Sequence, residues 1–393
     1  MPTISFASLL LVAVAAFLAP LLLGLSPARR LPSVVLEIVA GIILGPSVLG
    51  WVRVDLPIQI LSLLGLAFLL FLAGLEVELT RLKGRLLVFV SGSFLISFAL
   101  ALFVGFLLFL GGQVLSPLFI AIVLVSTALG VVIPVLKDAG ESESSFGQLV
   151  IAGAMFAEFG SIILLSLFFS NEATGTSTKL VLLTGFILLA ATFAFVILRL
   201  ERLMHLTAVL QRLQDTTAQL RIRGAFLLLV AFVALAGALG LETILGAFIA
   251  GVILRFIDQD RMMTHPLFRQ KLEAVGFGVF VPIFFVASGL NFNLTALLSS
   301  PSTILRVPIF LFALLFVRGI PALFYRPLVG SRRSVVAGLL QATSLSFIVA
   351  ATQIGLALHL MTTATGAALV AAGLLSVLLF PITALTLLRQ DKS

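Results

Sequence analysis

No cysteine occurs among the 393 residues, which excludes disulfides, thiolate metal sites and thiol catalysis. Charge is scarce too. Asp, Glu, Lys and Arg together make up 10% of the chain, against about 25% in soluble domains. Apolar residues make up 61%. A soluble fold of this size would lack the polar surface to cover itself, so soluble enzymes, nucleic-acid binders and disordered chains are excluded. Histidine occurs three times, at His205, His265 and His359, without metal-ligand spacing, and no Walker A run is present. Neither zinc catalysis nor ATP drive within the chain is expected, and no cofactor. The alternation of a membrane β-barrel is missing as well. The apolar runs are continuous and about 20 residues long, the length a helix needs to cross about 30 Å of hydrocarbon.

What is present is the pattern of an all-α polytopic membrane protein. Thirteen spans are expected, near 4–25, 32–50, 57–75, 87–110, 115–136, 147–169, 180–198, 224–240, 242–254, 273–290, 303–325, 334–358 and 363–388. The first has no basic leading region and no cleavage site, so it is kept as a membrane helix. With the N-terminus outside, the odd-numbered loops and the C-terminus hold 20 of the 24 Lys and Arg. The opposite loops hold only Arg53 and Lys179, while Arg306 and Arg318 lie within span 11. This asymmetry places the N-terminus outside and the C-terminus in the cytoplasm of an inner (plasma) membrane. The net charge of +8 is therefore read as topology rather than as a nucleic-acid surface. The basic stretch 199–223 reads as a cytoplasmic linker. It joins a first half, 1–198 (spans 1–6 and a linking span 7), to a second half, 224–393 (spans 8–13).

The halves resemble each other. Ala40-Gly41 in span 2 matches Ala250-Gly251 in span 9, an offset of 210. Gly74-Leu75 at the end of span 3 matches Gly289-Leu290 at the end of span 10, an offset of 215. Ser126-Thr127 in span 5 and Thr343-Ser344 in span 12 align with an offset of 216 from Thr127 to Thr343. Each match links a span to the one seven later. Seven is odd, so the two repeats run in opposite senses through the membrane. Inverted repeats are a signature of secondary transporters, whose substrate sites form near the midplane where interrupted helices meet. Spans 5 and 12 are the candidates for interruption: both concentrate Ser and Thr, and span 5 adds Gly130 and Pro134.

Glu158 lies in the middle of span 6. A carboxylate at that depth costs about 2.5–3.5 kcal/mol on insertion scales and usually marks an ion or proton path. Burial favours its neutral form and a nearby cation its charged form, so such a group can exchange protons at physiological pH. The bland alternative is a neutral Glu bonded to a neighbouring helix. Arg318 in span 11 has two readings, a pair with Glu158 or a side chain that snorkels toward the cytoplasm. Ser126, Thr127, Thr343 and Ser344 offer hydroxyl oxygens for an alkali cation, or else bond the carbonyl four residues back. Glu37 in span 2 is a candidate for an ion entrance or an interfacial group. Glu76, Glu78 and Glu242 fall at span ends and are expected to be solvated.

With these residues assembled, the chain resembles the monovalent cation:proton antiporter family, in the branch of Kef-type and Na+/H+ exchanger-like proteins. The run 31–50, Leu-Pro-Ser-Val-Val-Leu-Glu-Ile-Val-Ala-Gly-Ile-Ile-Leu-Gly-Pro-Ser-Val-Leu-Gly, is similar to its second-helix signature, and Phe68–Glu78 to its third. Ser126-Thr127-Ala128 with Pro134–Lys137, Leu245–Gly251 and Pro282–Leu290 resemble further family motifs. The resemblance implies thirteen helices, a core domain with crossed discontinuous helices 5 and 12, a dimerisation domain, a homodimer and elevator-like alternating access. The family's ion-binding Asp falls on Glu158 and its polar predecessor on Ala157. The family's basic residue of the matching helix falls on Arg318. Gln341-Ala-Thr-Ser-Leu departs from the Kef gating run, and the cytosolic nucleotide-binding domain of Kef members is not expected here. The expected activity is secondary antiport of Na+ or K+ against H+, electroneutral, with Glu158 as the shared site and Ser126, Thr127, Thr343 and Ser344 around it; Arg318 and Glu37 modulate it. No enzymatic activity is expected. A channel-like efflux pore and an organic-solute:proton transporter stay open as alternatives.

Overall fold

A computed structural model describes residues 6–25, 33–76, 84–169, 176–203, 219–258 and 266–389. Among these, every regular element is helical. The first half contains α1 (Phe6–Leu25), α2 (Ser33–Leu44), α3 (Leu56–Leu75), α4 (Arg85–Leu110), α5 (Pro117–Val125), α6 (Leu129–Asp138), α7 (Ser145–Phe169) and α8 (Thr176–Leu203). The second begins with α9 (Leu220–Ala238), α10 (Thr243–Asp258) and α11 (Pro266–Val275). A π-helical turn, Gly276–Phe280, joins α11 to α12 (Val281–Leu290). Then follow α13 (Leu294–Leu298), α14 (Pro301–Ala322), a 3-10 turn at Leu323–Tyr325, α15 (Arg326–Val329), α16 (Ser331–Gln341), α17 (Ser346–Ala357) and α18 (Thr363–Arg389). Among the described residues, ten segments are long and apolar enough to cross a bilayer. Three shorter apolar helices, Ser33–Leu44, Leu180–Phe193 and Thr243–Ile257, fall on expected spans 2, 7 and 9. Most of the basic linker, with Arg29, Arg30, Arg81, Lys83 and Glu78, lies outside the described residues.

Several helices start on a polar cap followed by proline. Asp55 Oδ1 accepts from Ile58 N (3.1 Å), Ser116 Oγ from Phe119 N (3.4 Å) and Ser300 Oγ from Thr303 N (3.3 Å). Each satisfies an orphan donor of the first turn, where the missing N–H of proline is harmless. The interrupted helices form the interior. The Pro117–Lys137 span is 78% buried and Ser331–Ala357 is 89% buried, against 17% for Phe6–Leu25. From Phe119 to Val125 every side chain of α5 is buried, as expected of a helix apolar all round.

The chain falls into two compact units. One combines Asp55–Val77 with Ile162–Phe285; the other combines Phe6–Val54, Glu78–Ser161 and Val286–Ser393. In the first unit α3 packs on α10 and α9 on α10, and the Phe68 and Phe280 rings stack at 4.8 Å. In the second, α4 packs on α5, and α14, α16 and α18 pack on one another. Lipid tails are as apolar as the helices, so association depends on close packing at small residues. A glycine pair does this once in each unit. A Cβ on Gly74 would overlap Phe248 O and come within 3.1 Å of the Gly251 Cα. A Cβ on Gly41 would overlap Val286 O and come within 2.9 Å of the Gly289 Cα. In both pairs the obstructing carbonyl lies three residues before the partner glycine. The repeat match converts one pair into the other, since 41 maps to 251 and 74 to 289.

Candidate functional site at the meeting of two interrupted helices

The second unit holds both interruptions. Between α5 and α6 the backbone is extended, with φ −69°, ψ 156° at Ser126 and φ −80°, ψ 93° at Ala128. Between α16 and α17 residues 343–345 are non-helical. The first break comes upstream of Gly130 and Pro134, which lie inside α6. Non-helical backbone at membrane depth is tolerated where protein groups satisfy it or where it lines a cavity, and here the two breaks satisfy each other. Ala128 N donates to Thr343 O at 2.8 Å. The Ser126 and Ser344 hydroxyls lie 2.7 Å apart, and the Thr127 hydroxyl donates to Gln341 O at 2.6 Å. Thr343 Oγ1 donates back to Leu339 O at 3.2 Å. All four hydroxyl residues are fully buried.

Glu158, 5% exposed, reaches this crossing from α7: its Oε2 accepts from Leu129 N, the first residue of α6, at 3.2 Å. The positive end of a half-helix thus faces a carboxylate. Arg318 comes from α14 and is 1% exposed, so its head turns inward rather than toward an interface. Nε donates to Thr127 Oγ1 (3.0 Å), Nη1 to Ser97 Oγ (3.1 Å), and Nη2 to Gly153 O (3.4 Å) and Gln341 Oε1 (3.3 Å). The cation therefore sits beside the C-terminal end of α16, where the helix dipole is negative. Gln341 Nε2 in turn donates to the Tyr325 hydroxyl at 3.3 Å. Gly153 admits that amide, since a Cβ there would overlap Gln341 Nε2.

The hydrogen bonds thus bring together Glu158, Arg318, Ser126, Thr127, Thr343 and Ser344. Glu37, 3% exposed on α2, is instead bonded by the Ser33 side chain one turn earlier. Thr127 spends its proton on Gln341 and a lone pair on Arg318, which makes it a clasp between the breaks in this conformation. Ser97, Gly153, Tyr325, Gln341 and Ser376 belong to the network and were not singled out from sequence. Only Gln341, an amide deep in an apolar span, carried a signal that would have found it. The arrangement offers one carboxylate, one fixed cation and a set of neutral hydroxyl oxygens, all buried within the protein.

Comparison with known proteins supplies the family. The family described as "Sodium/hydrogen exchanger, transmembrane" matches residues 13–390. YjbQ of Bacillus subtilis is 30% identical over 99% of this chain, which spans 64% of that protein's length. The Na(+)/H(+) antiporter of Enterococcus hirae is 28% identical over 66% of this chain and 67% of its own. The Na(+)/H(+)-K(+) antiporter GerN of Bacillus cereus is 27% identical over 66% of this chain and 65% of its own. Among solved structures, the sodium proton antiporter MjNhaP1 of Methanocaldococcus jannaschii at pH 8 shares the fold. Its TM-score is 0.71 at 17% identity, over 98% of both chains.

Proposed function

The chain belongs to the sodium/hydrogen exchanger family, and on that premise we propose that it exchanges a monovalent cation, Na+ or K+, for H+ by alternating access. Glu158 is the shared site, holding either the proton or the cation. The observation that carries this reading is the buried carboxylate of Glu158 bonded to the first amide of α6, where two interrupted helices meet. The amide bond and the helix end stabilise the charged form while burial opposes it. Ser126 and Ser344 add neutral oxygens. Arg318 holds the breaks together and keeps its proton, since guanidinium does not deprotonate in proteins. The proposal extends to a homodimer in the plasma membrane with a cytoplasmic C-terminus, on the strength of the Lys/Arg asymmetry and the family resemblance.

The test is purified protein in proteoliposomes with a pH-sensitive dye inside, challenged with Na+, K+, Li+ and Rb+ in turn. Proton counter-flux should follow Na+ or K+ addition and vanish in Glu158→Gln. Cation flux without proton counter-flux would replace the antiporter with a pore.

A further inference from the structure

We propose that Ser376 on α18 holds in the second repeat the place that Glu158 holds in the first, and that it positions Ser344 as a neutral oxygen ligand of the transported cation. The identity of that ion rests on the antiport reading; the geometry does not. The helices α7 and α18 each follow an interrupted helix. Glu158 maps to Ser376 with an offset of 218, beside 216 for Thr127 to Thr343. Both side chains accept from a main-chain amide of their own break: Glu158 from Leu129 N at 3.2 Å, Ser376 from Ser344 N at 3.1 Å, one residue earlier in register. Ser376 is fully buried, and its single proton lies between Gly373 O (2.8 Å) and Ser344 O (3.1 Å). Both main-chain groups of Ser344 are therefore held by one hydroxyl. Gly373 permits the approach, because a Cβ there would stand 3.0 Å from Ser344 O.

The consequence falls on the Ser344 side chain. Ser126 Oγ gives its proton to Val123 O at 2.8 Å. A hydroxyl has one proton, so with the Ser126 proton on Val123 O it is Ser344 that donates in the 2.7 Å contact between the two serines. Among the described residues nothing donates to Ser344 Oγ. In that arrangement a fully buried hydroxyl oxygen at the crossing keeps its lone pairs open, and a hard cation takes such oxygens as ligands.

Sodium binding to purified protein and exchange in proteoliposomes should be measured for wild type, Ser376→Ala, Ser344→Ala and the double variant. Loss of the ligand oxygen in Ser344→Ala, or of the bonds that position it in Ser376→Ala, should raise the sodium Kd and KM about fivefold, with the maximal rate kept. Because the two serines act as one unit, the double variant should be no weaker than Ser344→Ala alone. The pH at half-maximal rate under saturating sodium should stay put, because Glu158 is untouched. A wild-type Kd in Ser376→Ala, a fall in maximal rate at constant KM, or additive losses in the double variant would each overturn the assignment. Should Ser376→Ala fail to fold, Ser344→Ala decides alone, and an unchanged Kd sinks the proposal. A wild type that binds sodium without exchanging protons would defeat the antiport reading and leave Ser376 standing on the Kd ratio.

Discussion

Glu158 and Arg318 both act on the break at 126–128, and each answers a different helix end. Glu158→Gln keeps the shape and an acceptor for Leu129 N, so the melting temperature should hold while exchange disappears; a surviving proton flux would move the site elsewhere. Arg318 is different in kind. Removing it leaves the buried Ser97, Thr127 and Gln341 groups short of a donor, and each such group costs about 1–3 kcal/mol. Arg318→Ala should therefore lose several degrees of melting temperature along with transport. Arg318→Lys should recover only part of it, having no planar fork to span four acceptors. A second carboxylate obeys other rules. Glu76 follows the end of α3, outside the spanning segment, 3.7 Å from Arg269 Nη2, which is shared with Glu273 at 2.7 Å from Nε. Burial pushes the Glu76 carboxyl up from 4.5 to about 7, further than Arg269 draws it down, and the Glu273 charge adds to the rise. The folded state then keeps this proton to higher pH than the unfolded state does. Its contribution to stability is complete below about 4.5 and is lost as pH climbs through about 7. Glu76→Gln should flatten the melting temperature across that window. A wild-type slope in the variant would assign the loss to other groups.

At the scale of helices, the glycine pairs make the inverted repeat a matter of contact rather than of resemblance. Gly41→Ala pushes a methyl into Val286 O and the Gly289 backbone, with no flexible side chain to yield. It should cost about 1–3 kcal/mol. Gly185→Ala in α8 meets nothing within 4 Å and should leave the protein as stable or slightly more so, since Ala is the better helix former. Equal melting temperatures for the two variants would show that α2 and α12 do not need this approach. The spans were legible in the sequence because a run of about 20 apolar residues has one structural use in a bilayer. Glu158 was legible because a carboxylate is conspicuous in such a run. The exact place of the first break was not. The chain opens at the Ser126-Thr127 cluster rather than at Gly130 or Pro134, which stay inside α6, because the partner of the opened backbone is Thr343, more than 200 residues away. The ring of acceptors around Arg318 was hidden for the same reason: residues 97, 127, 153 and 341 become neighbours only through the packing of α4, α7 and α16 around the break between α5 and α6. Ser376 was hidden because a lone serine in an apolar helix usually bonds its own backbone. Only the opposite repeat shows what it stands in for.

For the molecule as a whole, the proposed equivalence of Glu158 and Ser376, taken with the antiport reading, gives a charge count to test. An inverted repeat presents two equivalent places beside its two breaks, and here one is an acid and the other a hydroxyl. Glu37 is bonded to Ser33 rather than to the crossing, and Arg318 does not release its proton. One proton or one monovalent cation can then neutralise the site, and either loaded state carries the same net charge. Exchange should be one for one. In proteoliposomes with potassium and valinomycin setting the membrane potential, and sodium as the exchanged ion, rate and final pH gradient should ignore the potential. Supplying an acid at the second place should break that neutrality. Ser376→Asp adds one titratable group next to Ser344, so a second proton can ride with each cycle and the rate should begin to follow the potential. Melting temperature checks that the variant is folded. A folded Ser376→Asp protein that still ignores the potential would mean that position 376 does not reach the transported ions. A wild type that already follows the potential would mean that the transport cycle uses a second acid besides Glu158.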